Sequence, residues 1–301
     1  MRIVLPRRSF LQAAGLAAAA SLVSSPCAGA PQAERTARSL PRLLSGCCAY
    51  SYRKYLQSGA MTMEDFFLKA VEFGIDGVDV TVYWLKSTDP AYLAGLRHFA
   101  FKHALFFSGT AIKTAMCQPD RDRRAAEIAN IKKWVDATVL LGASHIRVFG
   151  GNLPPGATDA QGVEWCAETM KEACDYAGPK GITLGIESHG GITLEASNIL
   201  DILRRVDSPY AGCNLDISHF QGDPYAQVEA LVPYATHTHI RDWYDDNNHQ
   251  PLDLDRIWQI FAKGGYQGFT SVEYAGDEDA VTGVPKLIEK VKLLCRKYSS
   301  V

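Results

Sequence analysis

The strongest constraint on this chain is an alternation: short runs rich in β-forming residues recur eight times, and each is followed by a segment with helical periodicity. The runs lie at 44–50, 77–83, 104–112, 145–149, 182–187, 211–216, 235–240 and 269–274. The helical segments lie near 62–73, 90–102, 122–141, 160–179, 194–205, 224–232, 253–263 and 280–298. Strand-then-helix repetition predicts parallel α/β architecture, because parallel neighbours need a crossover long enough to hold a helix. An open doubly wound sheet would require a Gly-rich phosphate turn after the first strand, and Ser45-Gly-Cys-Cys-Ala-Tyr50 contains no G-x-G-x-x-G. Eight units are instead the count that closes a (β/α)8 TIM barrel, so residues 43–299 read as one single-domain α/β barrel.

The first thirty residues stand outside that pattern. Arg2, Arg7 and Arg8 precede an alanine-rich apolar run, and Ala28-Gly-Ala30 supplies a small-x-small cleavage pattern, the three regions of a signal peptide. The run is too short and too weakly apolar to span a bilayer. Arg7-Arg8 followed by Ser-Phe-Leu11 resembles the twin-arginine export signal of bacteria. The expectation is an exported, periplasmic protein with residues 1–30 cleaved, no stable membrane anchor afterwards, and a flexible tether over the polar stretch 31–42. Cleavage removes three Arg and no acid, turning a formal charge of −2 into −5. That balance argues against nucleic acid as a partner, since nucleic acid rewards Lys/Arg clusters, and it leaves a homo-oligomer open. Seven of the eight cysteines remain, scattered and without a C-x-x-C pair, so they read as buried small hydrophobes rather than a disulfide framework.

In such a barrel the chemistry sits at the C-terminal ends of the strands. The last four runs end in Gly185-Ile-Glu187, Asn214-Leu-Asp216, His237-Thr-His239 and Ser271-Val-Glu273, and their final residues are 29, 23 and 34 positions apart, one βα unit each. Four successive units therefore aim Glu187, Asp216, His239 and Glu273 at one point. Three carboxylates and an imidazole suit one divalent cation, Mn²⁺ first, with Mg²⁺, Co²⁺ or Zn²⁺ as alternatives. Without a cation the converging carboxylates would repel and one would protonate. Arg147, His189 and Arg241 fall at the same rim and are candidates for binding substrate hydroxyls or a carboxylate. His237 is assigned to the helix-facing layer and excluded as a ligand. Tyr50, Tyr52, Tyr83, Trp84, Phe149 and Trp243 fall near predicted strand ends and are candidates for the aromatic wall of a substrate pocket.

With these motifs in place, together with Leu215-Asp-Ile-Ser-His219, His237-Thr-His-Ile-Arg-Asp242, Gly265-Tyr-Gln-Gly-Phe-Thr-Ser-Val-Glu273 and Ile146-Arg-Val-Phe-Gly-Gly151, the chain resembles the xylose isomerase-like TIM-barrel superfamily over roughly 44–295. The resemblance implies one Mn²⁺-like ion on Glu187, Asp216, His239 and Glu273, with the two glutamates also acting as acid and base and His219 contacting a substrate oxygen. It implies a sugar or polyol substrate that loses a proton next to a carbonyl, giving an enediolate that a Lewis acid stabilises. Two departures stand out. Arg241 occupies a position that is often Lys in the family, and Trp243-Tyr-Asp-Asp-Asn-Asn-His-Gln-Pro-Leu-Asp253 carries neither the usual G-x-G nor the epimerases' arginine, whose place Asp245 takes. Substrate recognition by a known epimerase therefore does not transfer. The leading expectation is a metal-dependent sugar isomerase or epimerase; the alternatives are a lyase-type deglycosylase acting on 3-keto-glycosides and a non-catalytic sugar-binding module.

Overall fold

A computed structural model describes residues 41–299. The leader at 1–30 and all of the tether except Pro41 and Arg42 lie outside the described residues. The strands are β1 (Leu43–Cys48), β2 (Gly77–Thr81), β3 (Phe106–Ala111), β4 (His145–Val148), β5 (Thr183–Glu187), β6 (Ala211–Asp216), β7 (Ala235–Ile240), β8 (Trp243–Tyr244), β9 (Gln250–Pro251) and β10 (Gly268–Val272). The helices are α1 (Arg53–Ser58), α2 (Met63–Phe73), α3 (Pro90–Lys102), α4 (Arg121–Leu141), α5 (Asp159–Ala177), α6 (Ala196–Val206), α7 (Pro224–Leu231), α8 (Leu254–Gly264) and α9 (Ala280–Tyr298). Eight parallel strands close in the order β1-β10-β7-β6-β5-β4-β3-β2, and β8 and β9 form a separate antiparallel hairpin. The expected barrel is therefore the observed one. The short helix α1 and the hairpin were not expected. Each is shorter than the windows over which hydrophobic periodicity can be read.

The helices begin where their sequences supply a cap. Thr62 and Thr158 form capping boxes with Asp65 and Gln161, and Asp89, Asp120, Asp223, Asp253 and Asp279 accept hydrogen bonds from first-turn N–H groups. The helices bury one stripe. In α6, Ile199, Ile202, Leu203 and Val206 face inward while Arg204 and Arg205 stay exposed. In α8 the stripe is Leu254, Ile257, Trp258 and Phe261. Each such side chain contributes about 1.5–3 kcal/mol when fully removed from water. No helix among the described residues is long and apolar enough to cross a membrane.

Along the strands, one parity packs against these helices and the other fills the barrel. Ile146, Val148, Leu184, Ile186, Cys213 and Leu215 are buried in the apolar core between sheet and helices. The residues between them meet one another inside the barrel, and this layer is polar. The rings of His145 and His237 stack at 5.1 Å, and His237 Nε2 lies 3.2 Å from Ser108 Oγ and 3.3 Å from Ser271 Oγ. Gly185 makes the layer possible, since a Cβ there would collide with His145 Nε2. His237 thus lies inside the barrel, contrary to the sequence expectation. A two-residue step along a strand returns to the same face, so His237 points the same way as His239, one layer deeper. The seven cysteines at 47, 48, 117, 166, 174, 213 and 295 are all buried and free, as expected.

Candidate metal centre and its cavity

The C-terminal ends of β5, β6 and β7, and the residue after β10, bring Glu187, Asp216, His239 and Glu273 together with one ligand atom from each within 4.8 Å of the others. All four are buried. His239 Nδ1 lies 2.7 Å from Glu187 Oε1 and 3.6 Å from Glu273 Oε1. Asp216 Oδ1 accepts from the Ser218 N–H at 2.9 Å and from its hydroxyl, while Asp216 Oδ2, fully buried, has no hydrogen-bond partner. A buried carboxylate oxygen left without a partner is costly unless a cation occupies its lone pair. Hard oxygen donors, one imidazole and that orphaned oxygen together fit a divalent cation.

The charges of this centre are held by their neighbours. Burial alone would raise Glu187, but the charge of Arg147 and the contact with His239 prevail and bring it down to about 2. Asp216 is also held well below the usual carboxylate range, with burial outweighed by Arg241 and His219. Burial would lower His239, yet the charge of Glu273 and the hydrogen bond to Asp79 raise it well above its ordinary value. His219 rises to about 10, as Asp216 and Asp246 overcome its burial.

The remaining expected residues surround these four. Arg241 Nη2 donates to Glu273 Oε2 at 2.7 Å and lies 3.6 Å from Asp216 Oδ2. Arg147 Nε stands 3.6 Å from Glu187 Oε2. His219 Nε2 is 3.2 Å from Asp216 Oδ2, and its ring meets that of His189 edge-on at 4.3 Å. His189 Nδ1 is 3.5 Å from Glu187 Oε2, although its side chain is 47% exposed. A cavity of about 520 Å³ opens over the centre. Tyr50, Tyr83, Phe149 and Trp243 line it as expected. Tyr52 does not: it is buried between Tyr55 and Phe66, with ring centroids at 6.4 and 6.1 Å. Trp84 does not reach the cavity either and packs against Tyr50. Both follow the barrel's first and second strands as short 3-10 turns, whose tight winding redirects their side chains. A larger cavity of about 810 Å³ at the opposite end of the barrel has no acidic side chain in its lining. Donor chemistry, rather than volume, selects the first.

Four participants escaped the sequence reading. Asp79, on β2, is buried and its Oδ2 lies 2.7 Å from His239 Nε2, which turns the other ring nitrogen toward the carboxylates. Asn214 Nδ2 donates to Glu187 Oε1 at 3.0 Å. Asp246, in the β8–β9 hairpin, lies 2.6 Å from His219 Nδ1. Cys48 Sγ sits 3.7 Å from Glu273 Oε1. For Asp79 a signal existed: a lone acid in the strand Gly77-Val-Asp-Val-Thr81 had to face either the apolar helix layer or the barrel interior.

Comparisons with known proteins agree with this architecture. The family described as xylose isomerase-like TIM barrel matches residues 67–295. A Mus musculus protein named "Putative hydroxypyruvate isomerase" is 25% identical over 180 residues, covering 54% of this chain and 65% of that protein. The chain spans 50% and 65% of the length of two curated relatives that it matches. Among solved structures, D-psicose 3-epimerase with D-tagatose from Clostridium cellulolyticum H10 superposes with a TM-score of 0.68 at 14% identity, covering 86% of this chain and 100% of that one. The IOLI protein with a binding zinc atom superposes at 0.66 and 16% identity, covering 86% and 100%. At those identities the structural likeness concerns the fold. The match over 67–295, with the eight-stranded closure and the buried donors at its rim, makes this chain a member of the xylose isomerase-like TIM-barrel family.

Proposed function

We propose that the chain is a divalent-metal-dependent isomerase or epimerase that moves a proton next to a carbonyl of a sugar or polyol. The observation that carries this reading is the convergence of Glu187, Asp216, His239 and Glu273 within 4.8 Å beneath an open cavity. A divalent cation held by these four would supply Lewis acidity toward the substrate oxygens, with Mn²⁺ the first candidate. Glu187 is ionised at neutral pH, so it can take a proton. Glu273, three barrel strands away and held by Arg241, returns one from the other side. His219, fixed between Asp216 and Asp246, presents a charged N–H to a substrate oxygen. His189, Arg147 and Arg241 complete the substrate contacts, and Phe149 and Trp243 meet the apolar faces of the sugar.

One observation favours the lyase reading as the second choice: His219 lines the cavity beside the metal centre with Nδ1 held by Asp246, and raised to about 10 it is a protonated donor available to a departing oxygen. The proposal extends to an exported enzyme, on the strength of Arg7-Arg8 and Ala28-Gly-Ala30. Incubation of the metal-loaded protein with keto-sugars and 3-keto-glycosides in deuterated water decides the chemistry. Deuterium incorporation without aglycone release supports the isomerase, aglycone release supports the lyase, and neither result with any substrate overturns both.

A further inference from the structure

The cavity is uneven in charge. Its acids, Glu187, Glu273 and Asp246, come from β5, the end of β10 and the β8–β9 hairpin, with Asp216 of β6 beneath them, whereas β4 and the segment after β3 present Arg147 and Lys113. Arg241 on the acidic arc is matched, by Glu273 at 2.7 Å and Asp216 at 3.6 Å. Arg147 has the charge of Glu187 beside it but, among the described residues, no carboxylate hydrogen bond such as Arg241 makes with Glu273. Its carboxylate neighbour is Glu187, with Nε 3.6 Å from Oε2, too long for a hydrogen bond, and this buried Nε has no hydrogen-bond partner. Two contacts hold the guanidinium in place: it lies 3.9 Å over the Phe149 ring, and Nη1 donates to the Ile112 carbonyl at 3.3 Å. Ile112 directly precedes Lys113, so the two cations are neighbours on one rim. Lys113 is exposed, lines the same cavity and pairs with no carboxylate among the described residues.

We propose that Arg147 and Lys113 form a subsite for an anionic group of the substrate, a carboxylate or a phosphate, so that the enzyme acts on acidic rather than neutral sugars. A guanidinium fixed by stacking presents planar paired donors that match either anion, and the lysine adds a point charge at the rim. A divalent cation at the metal centre would reinforce the preference, because Glu187, Asp216, Glu273 and Asp246 do not neutralise it together with Arg53, Lys113, Arg147 and Arg241. A cavity of about 520 Å³ accommodates a monosaccharide reaching from the centre to this rim.

This inference rests on the proposed sugar chemistry and is tested apart from it. Calorimetric titration of the Mn²⁺-loaded full chain compares 5-keto-D-gluconate, D-fructose 6-phosphate and D-fructose as probes, in the native protein and in Lys113→Ala. At least one acidic probe is expected to bind about tenfold tighter than D-fructose, and Lys113→Ala to lower that acid-to-neutral preference about tenfold. Which acid is preferred separates carboxylate from phosphate. Equal affinity for all three probes, failure of both acids to bind, or a preference untouched by Lys113→Ala overturns the subsite. Deuterium exchange on the same probes is read separately. Lys113-dependent acid binding without exchange keeps the subsite and rejects the isomerase, whereas exchange on D-fructose with no acid preference does the reverse.

Discussion

Asp79 and His239 illustrate how a single contact sets the chemistry of a site. With Nε2 held at 2.7 Å by Asp79, His239 directs Nδ1 at the Glu187 and Glu273 carboxylates. Replacing that carboxylate in Asp79→Asn removes the charge while retaining the shape, and the affinity for Mn²⁺, read by calorimetry, should fall about 10–100-fold. An unchanged affinity would mean that barrel packing alone orients the ring. Glu273→Gln separates two roles of one residue. If the amide oxygen still ligates, the variant retains metal yet loses proton transfer, so deuterium exchange should drop by more than about 100-fold while metal content persists. Glu187→Ala, by contrast, removes a ligand and should lower metal content itself, as measured by elemental analysis of the purified protein.

At the scale of elements, the β8–β9 hairpin carries Asp246 to His219. The charge of Asp216, together with the charge and hydrogen bond of Asp246, is what raises His219 against its burial. In Asp246→Asn the histidine should therefore titrate at lower pH, which NMR of the imidazole protons can follow; a titration unmoved by the substitution would assign the whole effect to Asp216. Gly185 on β5 shows the same dependence in packing. It leaves room for the His145 ring, so Gly185→Ala should destabilise the barrel by about 1–3 kcal/mol, seen as a lower denaturant midpoint. A variant as stable as the native chain would show that the His145–His237 stack can shift without cost.

The polar barrel interior has a consequence for the whole molecule. Burial is the largest cause that holds His145 well below its ordinary 6.5 and brings His237 down to about 4. Both stay neutral in the folded state at pH values where the unfolded chain takes up protons. Their contribution to stability is complete above 6.5 and is lost as pH falls, by about 1.4 kcal/mol per pH unit for each histidine until its folded value is reached. Thermal unfolding midpoints of the metal-free protein should accordingly decline from pH 6.5 to 5, with a shallower slope in His145→Gln. Equal slopes would place the acid sensitivity elsewhere.

Much of this molecule was written locally in the chain. The eight-fold alternation, the threonine and aspartate caps and the one-unit spacing of Glu187, Asp216, His239 and Glu273 are short-range patterns, and each survived into the structure because local propensity and global fold agree. The helix starts at Thr62 and Asp253 were legible for the same reason, since a cap and its helix lie within four residues. What tertiary structure alone decided are contacts between distant strands. Asp79 meets His239 across 160 residues, Cys48 meets Glu273 across 225, and Arg147 reaches the Ile112 carbonyl, next to Lys113, because β3 and β4 are paired. No local pattern encodes such meetings, because the partners lie on strands separated in sequence by whole βα units and only the pairing and closure of the barrel juxtapose them.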